Sequence, residues 1–218
     1  MLVNTAVFGI LLFLPAGTLH WWRAWVFLAI FFFGSIITMA ILLPNHQELI
    51  GERLKGPIQE GQPRSDKILI LLFLGAFLAW GVFLPLDVFH LHLLRKPGGA
   101  VSFSGLLILF LGWWIIFLTF KENAFASAVV RHQEERQHKA IDTGPYSVVR
   151  HPMYAGAALF LVGPALWLES CAGALLAIVP VGMLALRIFI EEGLLRQKLA
   201  GYEAYTKKVR YRLIPYLW

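Results

Sequence analysis

The residues at 144–156, GPYSVVRHPMYAG, are the types that could bind a charged aromatic ligand. Pro152 fits the first turn of a helix, where a missing backbone N–H costs nothing. The positive end of that helix, together with Arg150, favours an anion. The rings of Tyr146 and Tyr154 suit a flat ring system such as a purine. The segment therefore predicts a ligand site, and the alternative is an aromatic belt at a membrane interface.

A second polar group lies further along the chain, in RIFIEEGLL at 187–195. Arg187 and Glu191 are four residues apart and share a helix face, whereas Glu192 lies about 100° around the helix. Ionisable groups near membrane depth are costly and usually face a cavity or a partner. The pattern thus predicts either a functional pair or a structural ion pair between Arg187 and Glu191 with Glu192 in solvent.

The segments that must hold the polar residues at 144–156 and 187–195 in place are mostly apolar. The chain is 58% hydrophobic and only 15% charged, whereas soluble domains carry about 25% charged residues. Uncharged runs occupy 1–19, 24–43, 68–86, 101–120, 153–168 and 170–186. About 20 helical residues cross a bilayer. We predict an all-α, polytopic membrane bundle of about six transmembrane helices that ends in a helical hairpin.

Charge placement predicts the orientation of this bundle. Most of the 19 lysine and arginine residues fall in 44–67, in 121–152 and after residue 186. The positive-inside rule then places both termini, and the polar site, on the cytoplasmic face of a multi-pass membrane protein. Because the basic residues flank membrane spans, we expect membrane lipid as a partner and no nucleic acid. The histidines are scattered, so we expect no metal site.

Five motifs, in order, resemble the isoprenylcysteine carboxyl methyltransferase family and its phospholipid methyltransferase relatives. They are HKAIDTGPY (138–146), RHPMYAG (150–156), RIFIEE (187–192), GYEAY (201–205) and RLIP (212–215). The resemblance covers 121–218, whereas 1–120 matches only as a set of about four membrane helices. It implies a methyltransferase core at 121–218, with a cofactor-binding loop, the helical hairpin and an interfacial C-terminal tail.

The resemblance also implies a cofactor and residue roles. The methyl donor would be S-adenosylmethionine, held in a cytoplasmic pocket. The cofactor-binding residues would be His138, Ile141, Gly144, Tyr146, His151, Pro152, Met153, Tyr154 and Glu191. Arg187 and Glu191 would be catalytic, and Arg187 and Glu192 would contact the substrate. Many members carry a hydroxyl residue followed by Leu-Val after the histidine matching His138, whereas this chain has Lys-Ala-Ile.

These residue types suit methyl transfer to a carboxylate. Transfer of a methyl group from a sulfonium needs the donor and the acceptor to be aligned and water to be excluded. A carboxylate acceptor is already ionised at neutral pH and needs only a cation, which Arg187 would supply through two parallel hydrogen bonds. We therefore expect a lipophilic or prenylated substrate, with the carboxylate of an isoprenylcysteine-like compound as the acceptor.

Three other interpretations remain open at this point. A phospholipid, or another lipophilic amine or thiol, would need a base such as Glu192 or His151. An NADPH-dependent membrane sterol reductase shares the Arg-His-Pro and tyrosine pattern, but usually has asparagine and glutamate where this chain has Met153 and Ala157. A non-catalytic membrane protein such as a small transporter is the third interpretation; internal repeats are typical of transporters, and this sequence contains no convincing repeat.

Overall fold

Helices form the regular structure of the described residues, which are 1–131, 133, 136 and 139–218 of a computed structural model. The helices are α1 (Leu2–Ala16), α2 (Trp22–Leu42), α3 (Gln47–Leu54), α4 (Arg64–Leu86), α5 (Gly99–Glu122), α6 (Pro152–Trp167), α7 (Cys171–Leu176), α8 (Ile178–Lys198) and α9 (Tyr202–Lys208). A π-helical turn, Asp87–Leu91, extends α4, and a 3-10 turn, Gly144–Ser147, precedes α6. The described residues contain no strand, which confirms the all-α prediction.

Four helical segments are long and apolar enough to cross a membrane. They are α2, α4 with its π turn, α5, and α7 together with α8. Two shorter apolar helices, α1 and α6, have 15 and 16 residues, or about 23 Å at 1.5 Å per residue. All six predicted runs are thus helical, four have spanning length, and the exact count of six stays a prediction.

The last uncharged run ends at residue 186, and the sequence predicts that its helix continues through 187–195. Helix α8 does continue, to Lys198, and two of its charged residues, Arg187 and Glu192, are buried. The turn between α6 and α7 is sharp. Glu169 adopts a left-handed backbone with φ of 72°, and the Ser170 amide donates to the Ala165 carbonyl at 2.9 Å. This turn connects the two arms of the predicted C-terminal hairpin, which are α6 on one side and α7 with α8 on the other.

Helices α5 and α6 approach each other most closely, through glycines spaced seven residues apart. Gly105 and Gly112 on α5 face Gly163 and Gly156 on α6. A Cβ atom added at Gly163 would lie 2.6 Å from the amide nitrogen of Leu109 and 2.8 Å from the carbonyl oxygen of Gly105. The two backbones are therefore in direct contact, as small residues allow between membrane helices. This contact fixes the start of α6 against the end of α5.

Replacing Gly163 with alanine is expected to destabilise the protein by about 1–3 kcal/mol, because the new methyl group would meet backbone atoms that no rotamer change can move. Thermal unfolding in detergent measures this loss as a lower Tm. Gly182→Ala in α8 is the matched control, since a Cβ there meets no atom within 4 Å. Equal Tm values for the two variants would show that α5 and α6 can separate without cost.

The C-terminal tail lies across the start of α6. The backbone amides of Arg150 and His151 donate to the carbonyls of Tyr211 and Arg212, each at 2.9 Å. In helix α9, Tyr202 and Tyr205 are buried and pack against the end of α8. The tail, α6 and α8 are thus held together at one end of the bundle, where the end of α5 also lies.

Candidate functional site

A cavity lies where the end of α5, the start of α6, the second half of α8 and α9 meet. It holds about 770 Å³ of atom-free space, part of it open to solvent. The lining residues that carry polar or aromatic groups include Asn123, Tyr146, His151, Tyr154, Tyr202 and Tyr205, and the charged ones are Arg131, Lys139, Arg150 and Glu191. Polar and aromatic side chains from the end of α5, the start of α6, α8 and α9 converge on this space. This cavity is therefore the candidate site.

Glu191 brings a carboxylate into the cavity. The hydroxyl of Tyr154 donates to Glu191 Oε2 at 2.6 Å, and the Glu191 side chain remains 27% exposed. The ring of His151 stacks on the ring of Tyr154, with centroids 5.6 Å apart and planes 7° from parallel. The bond from Tyr154 fixes the direction of the carboxylate. An oriented negative charge beside stacked rings suits a cationic ligand that carries an aromatic group.

Tyr146 forms the opposite part of the lining and is held by two hydrogen bonds. Its hydroxyl accepts from Asn123 Nδ2 at 2.8 Å, and its carbonyl accepts from the hydroxyl of Tyr205 at 2.8 Å. Burial raises the pKa of the Tyr146 and Tyr205 phenols well above their usual range. Both phenols are therefore protonated at neutral pH and act as hydrogen-bonding groups, with no role as a base.

Tyr202 lines the same cavity with an unsatisfied group. The residue is 4% exposed, and its buried hydroxyl has no hydrogen-bond partner among the described residues. A buried hydroxyl without a partner costs about 1–3 kcal/mol. In a cavity wall, such a group points to a ligand that would accept or donate the missing hydrogen bond.

Glu192 is not in solvent, which corrects one of the alternatives allowed by the sequence. It is 3% exposed. One oxygen accepts from Arg150 Nε at 2.7 Å and lies 3.2 Å from His151 Nε2, and the other accepts from Arg212 Nε at 3.2 Å. Arg150 also donates to the carbonyls of Val209 and Arg210. Arg150 therefore binds the tail and Glu192 while it also lines the cavity, and the anion site at the start of α6 stays a prediction.

Arg187 pairs with Asp66 of α4, and the predicted ion pair with Glu191 is absent. Arg187 Nε donates to Asp66 Oδ1 at 2.8 Å, and Nη2 donates to Asp66 Oδ2 at 3.4 Å and to the Ala128 carbonyl at 2.7 Å. Arg187 is 5% exposed and Asp66 is 0% exposed. The local spacing suggested Glu191 as partner, but the partner lies 121 residues away in sequence.

The structure brings together most of the predicted cofactor residues. Those that line the cavity are Ile141, Tyr146, His151, Met153, Tyr154 and Glu191. Those that lie next to it without lining it are Gly144, in the 3-10 turn with φ of 53°, and Pro152, the buried first residue of α6. Arg187 and Glu192 are buried in the ion pairs described above, and His138 lies outside the described residues.

Sequence reasoning missed Asn123, Asp66, Tyr202 and Tyr205. The two tyrosines belong to the quoted motif GYEAY, and an approach to the site was predicted only for the tail as a whole. Asn123 is the first residue after α5 and Asp66 lies in the first turn of α4, and neither position carries a local pattern. Only the contact between distant segments reveals their roles.

A comparison with protein families now bears on this site. The family model described as phospholipid methyltransferase matches residues 101–200, from α5 to the end of α8. Among curated proteins, no significant match to the chain is found. The family match and the apolar helices support the class of membrane methyltransferases that act on lipophilic substrates. The narrower resemblance, to isoprenylcysteine carboxyl methyltransferases, stays a prediction.

Proposed function

We propose that this protein is an integral membrane methyltransferase that uses S-adenosylmethionine to methylate a carboxylate on a lipophilic acceptor. The observation that carries this proposal is the cavity in which Glu191 and the rings of Tyr154 and His151 lie together. These residues belong to the segment matched by the phospholipid methyltransferase model. The acceptor that fits best is an isoprenylcysteine-like compound.

The cavity residues fit the chemical groups of the methyl donor. S-adenosylmethionine carries a positive sulfonium, an ammonium, a carboxylate and an adenine ring. Glu191 would face one of the positive groups, and the rings of Tyr146 and Tyr154 would border the adenine. The unpartnered Tyr202 hydroxyl would gain a hydrogen bond. When bound, the donor supplies a methyl group already activated by the positive sulfur.

The protein then has two tasks, to align the methyl donor with the acceptor and to exclude water from the space between them. The stacked rings and the bond from Tyr154 to Glu191 fix the polar wall of the cavity. The tail bonded to the start of α6 closes it on one side. A carboxylate acceptor is ionised at neutral pH, so no side chain needs to remove a proton.

Tyr202→Phe is expected to weaken the binding of S-adenosylhomocysteine, the demethylated product, several-fold. The free protein should keep its Tm or gain slightly, because the substitution removes a buried hydroxyl that has no partner. Calorimetric titration and thermal unfolding of the same preparations measure the two effects. A lower Tm without ligand would contradict the assignment, because it would show that the hydroxyl already has a partner in the free protein.

Titration of the purified protein in detergent with S-adenosylhomocysteine, and separately with NADPH, tests the proposed cofactor. We expect saturable binding of S-adenosylhomocysteine in the micromolar range and no binding of NADPH. Binding of NADPH alone would assign the protein to the reductase class. Binding of neither by folded protein would favour the non-catalytic alternative.

A second candidate acceptor is a lipophilic amine, such as a phospholipid headgroup. It is favoured by the description of the matching family and by the partly exposed carboxylate of Glu191, which would accept the amine proton. Its product would carry an N-methyl group that resists alkali, whereas a methyl ester is hydrolysed by alkali to methanol. Alkaline treatment of the methylated product therefore separates the two acceptors.

We also propose that residues 121–218 form the methyltransferase core and that residues 1–120 form its membrane support, with the cavity and both termini on the cytoplasmic face. Four ion pairs among the described residues connect these parts: Arg187 with Asp66, Arg131 with Glu52, Arg136 with Glu48 and Arg23 with Glu169. The basic segments flank the cavity end of the bundle, which supports this orientation through the positive-inside rule.

A further inference from the structure

An apolar groove runs beside the candidate cavity, between α2, α3 and α5. It holds about 1,210 Å³ of atom-free space, part of it open to solvent. Its described lining is formed mainly by aliphatic and aromatic side chains, among them Leu42, Trp113, Phe117 and Phe120. Arg53 of α3 is the one charged residue among the described lining residues. The lining of the groove therefore suits a hydrocarbon chain, and Arg53 places a single cation beside it.

Arg53 lies at the border between the groove and the cavity. Its Nη1 atom donates to the carbonyl of Ala126 at 3.0 Å and lies 3.7 Å from Met153 Sδ, and both of these residues line the cavity. Its guanidinium also lies over the ring of Phe120, 4.3 Å from the centroid, on the groove side. The two spaces thus meet at this guanidinium.

Arg53 has no carboxylate partner among the described residues. The neighbouring Glu52 binds Lys55 and Arg131 instead, and Asp66 binds Arg187. Arg53 is itself an exposed residue, and its guanidinium is a cation at neutral pH. The guanidinium is therefore accessible from the groove, and an anionic ligand there would meet no competing carboxylate among the described residues.

We propose that the groove holds the apolar chain of the methyl acceptor and that Arg53 docks the acceptor's carboxylate at the entrance to the cavity, an inference that rests on the methyl transfer proposed above. A guanidinium binds a planar carboxylate through two parallel hydrogen bonds. One unpaired cation also matches the single negative charge of a carboxylate. Arg53 then takes the docking role for which the sequence suggested Arg187, whose guanidinium binds Asp66.

Quenching of tryptophan fluorescence by a brominated lipid tests this assignment without any methyl transfer. Trp113 lines the groove, so 9,10-dibromostearate bound there should quench it saturably in detergent solution. We expect Arg53→Gln to weaken this binding on the order of tenfold, the usual loss for a charge-assisted hydrogen bond. Lys55→Gln, which removes a cation two residues away on the surface, should leave the affinity unchanged. Trp113→Phe should remove the saturable signal.

The affinities of three brominated lipids show which kind of lipid the groove binds. Dibromostearate should bind at least tenfold more tightly than its methyl ester, because only the acid carries the carboxylate. Equal binding of acid and ester, or unchanged affinity in Arg53→Gln, would overturn the proposal. Tighter binding of a brominated lysophosphatidic acid than of dibromostearate would assign the groove to phosphate-bearing lipids and would also overturn it.

The same preparations separate this inference from the proposed function. Arg53→Gln should bind S-adenosylhomocysteine as the unsubstituted protein does, which shows that the variant is folded. If the unsubstituted protein binds no S-adenosylhomocysteine, the methyltransferase proposal fails. Thermal unfolding then serves as the folding control, and the quenching of Trp113 still reports whether the groove binds an anionic chain.

Discussion

Glu191→Gln is expected to weaken S-adenosylhomocysteine binding by about tenfold to a hundredfold, measured by calorimetric titration in detergent. Glutamine keeps the size of the side chain and an oxygen that can accept from Tyr154, but it removes the negative charge. A hydrogen bond to a charged group contributes about 1.5–3 kcal/mol, and each 1.4 kcal/mol is a factor of ten in affinity. The loss should appear in affinity, with little change in Tm.

Glu203→Gln is the matched control for this substitution. Glu203 lies on α9 at the surface, where it pairs with Arg196 at 2.6 Å and its side chain is 57% exposed. Such exposed pairs contribute little, so the control should bind as the unsubstituted protein does. Unchanged affinity in Glu191→Gln would remove Glu191 from the cofactor site and, with it, the main electrostatic support for a cationic ligand.

Asp66→Ala is expected to lower stability by about 3–5 kcal/mol, the largest effect that we predict for a single side chain. Besides the pair with Arg187, Asp66 Oδ2 accepts from Gln62 Nε2 at 2.7 Å and from the amide of Val130 at 3.0 Å. Removing the carboxylate leaves the cation of Arg187 buried without a partner. Chemical or thermal unfolding in detergent measures the change.

Two further variants define what this ion pair does. Asp142→Ala, which breaks an exposed pair with Lys208, should change stability by less than about 1 kcal/mol. The double variant with Asp66→Leu and Arg187→Met should recover most of the stability lost in Asp66→Ala, because no unpaired charge remains. If Asp66→Ala unfolds like the unsubstituted protein, the pair is dispensable and Arg187 is free for the substrate role suggested by the sequence.

The helices of this protein could be predicted from the sequence, because long uncharged runs have few other stable forms in a bilayer. The hydropathy pattern stops at Leu186, and the helical spacing beyond it predicted that α8 continues. The partners of Arg187, Glu191 and Glu192 could not be predicted in this way. Those charges are stabilised by residues of α4, of α6 and of the tail. Hydropathy along one segment contains no information about such partners.

The candidate site, too, could be predicted from the sequence only in part. The motif around His151 and Tyr154 was found because its residues are consecutive in sequence and lie in one helix turn. The ion pair between Arg187 and Glu191, one of the two alternatives for these residues, is not formed, because the four-residue rule describes neighbours on a single helix. A buried ion pair takes the best-placed carboxylate from any helix. Arg53 escaped notice because a single arginine after an apolar run is typical of a membrane interface.

Transfer of a labelled methyl group tests the central claim most directly. The purified protein, in membranes or supplied with lipid extract, would be incubated with methyl-labelled S-adenosylmethionine, and the organic phase would then be treated with alkali. We predict label in the organic phase that is released as volatile methanol, and loss of this signal in Glu191→Gln. Folded protein that transfers no label to lipid would contradict the methyltransferase assignment, and label that resists alkali would contradict a carboxylate acceptor.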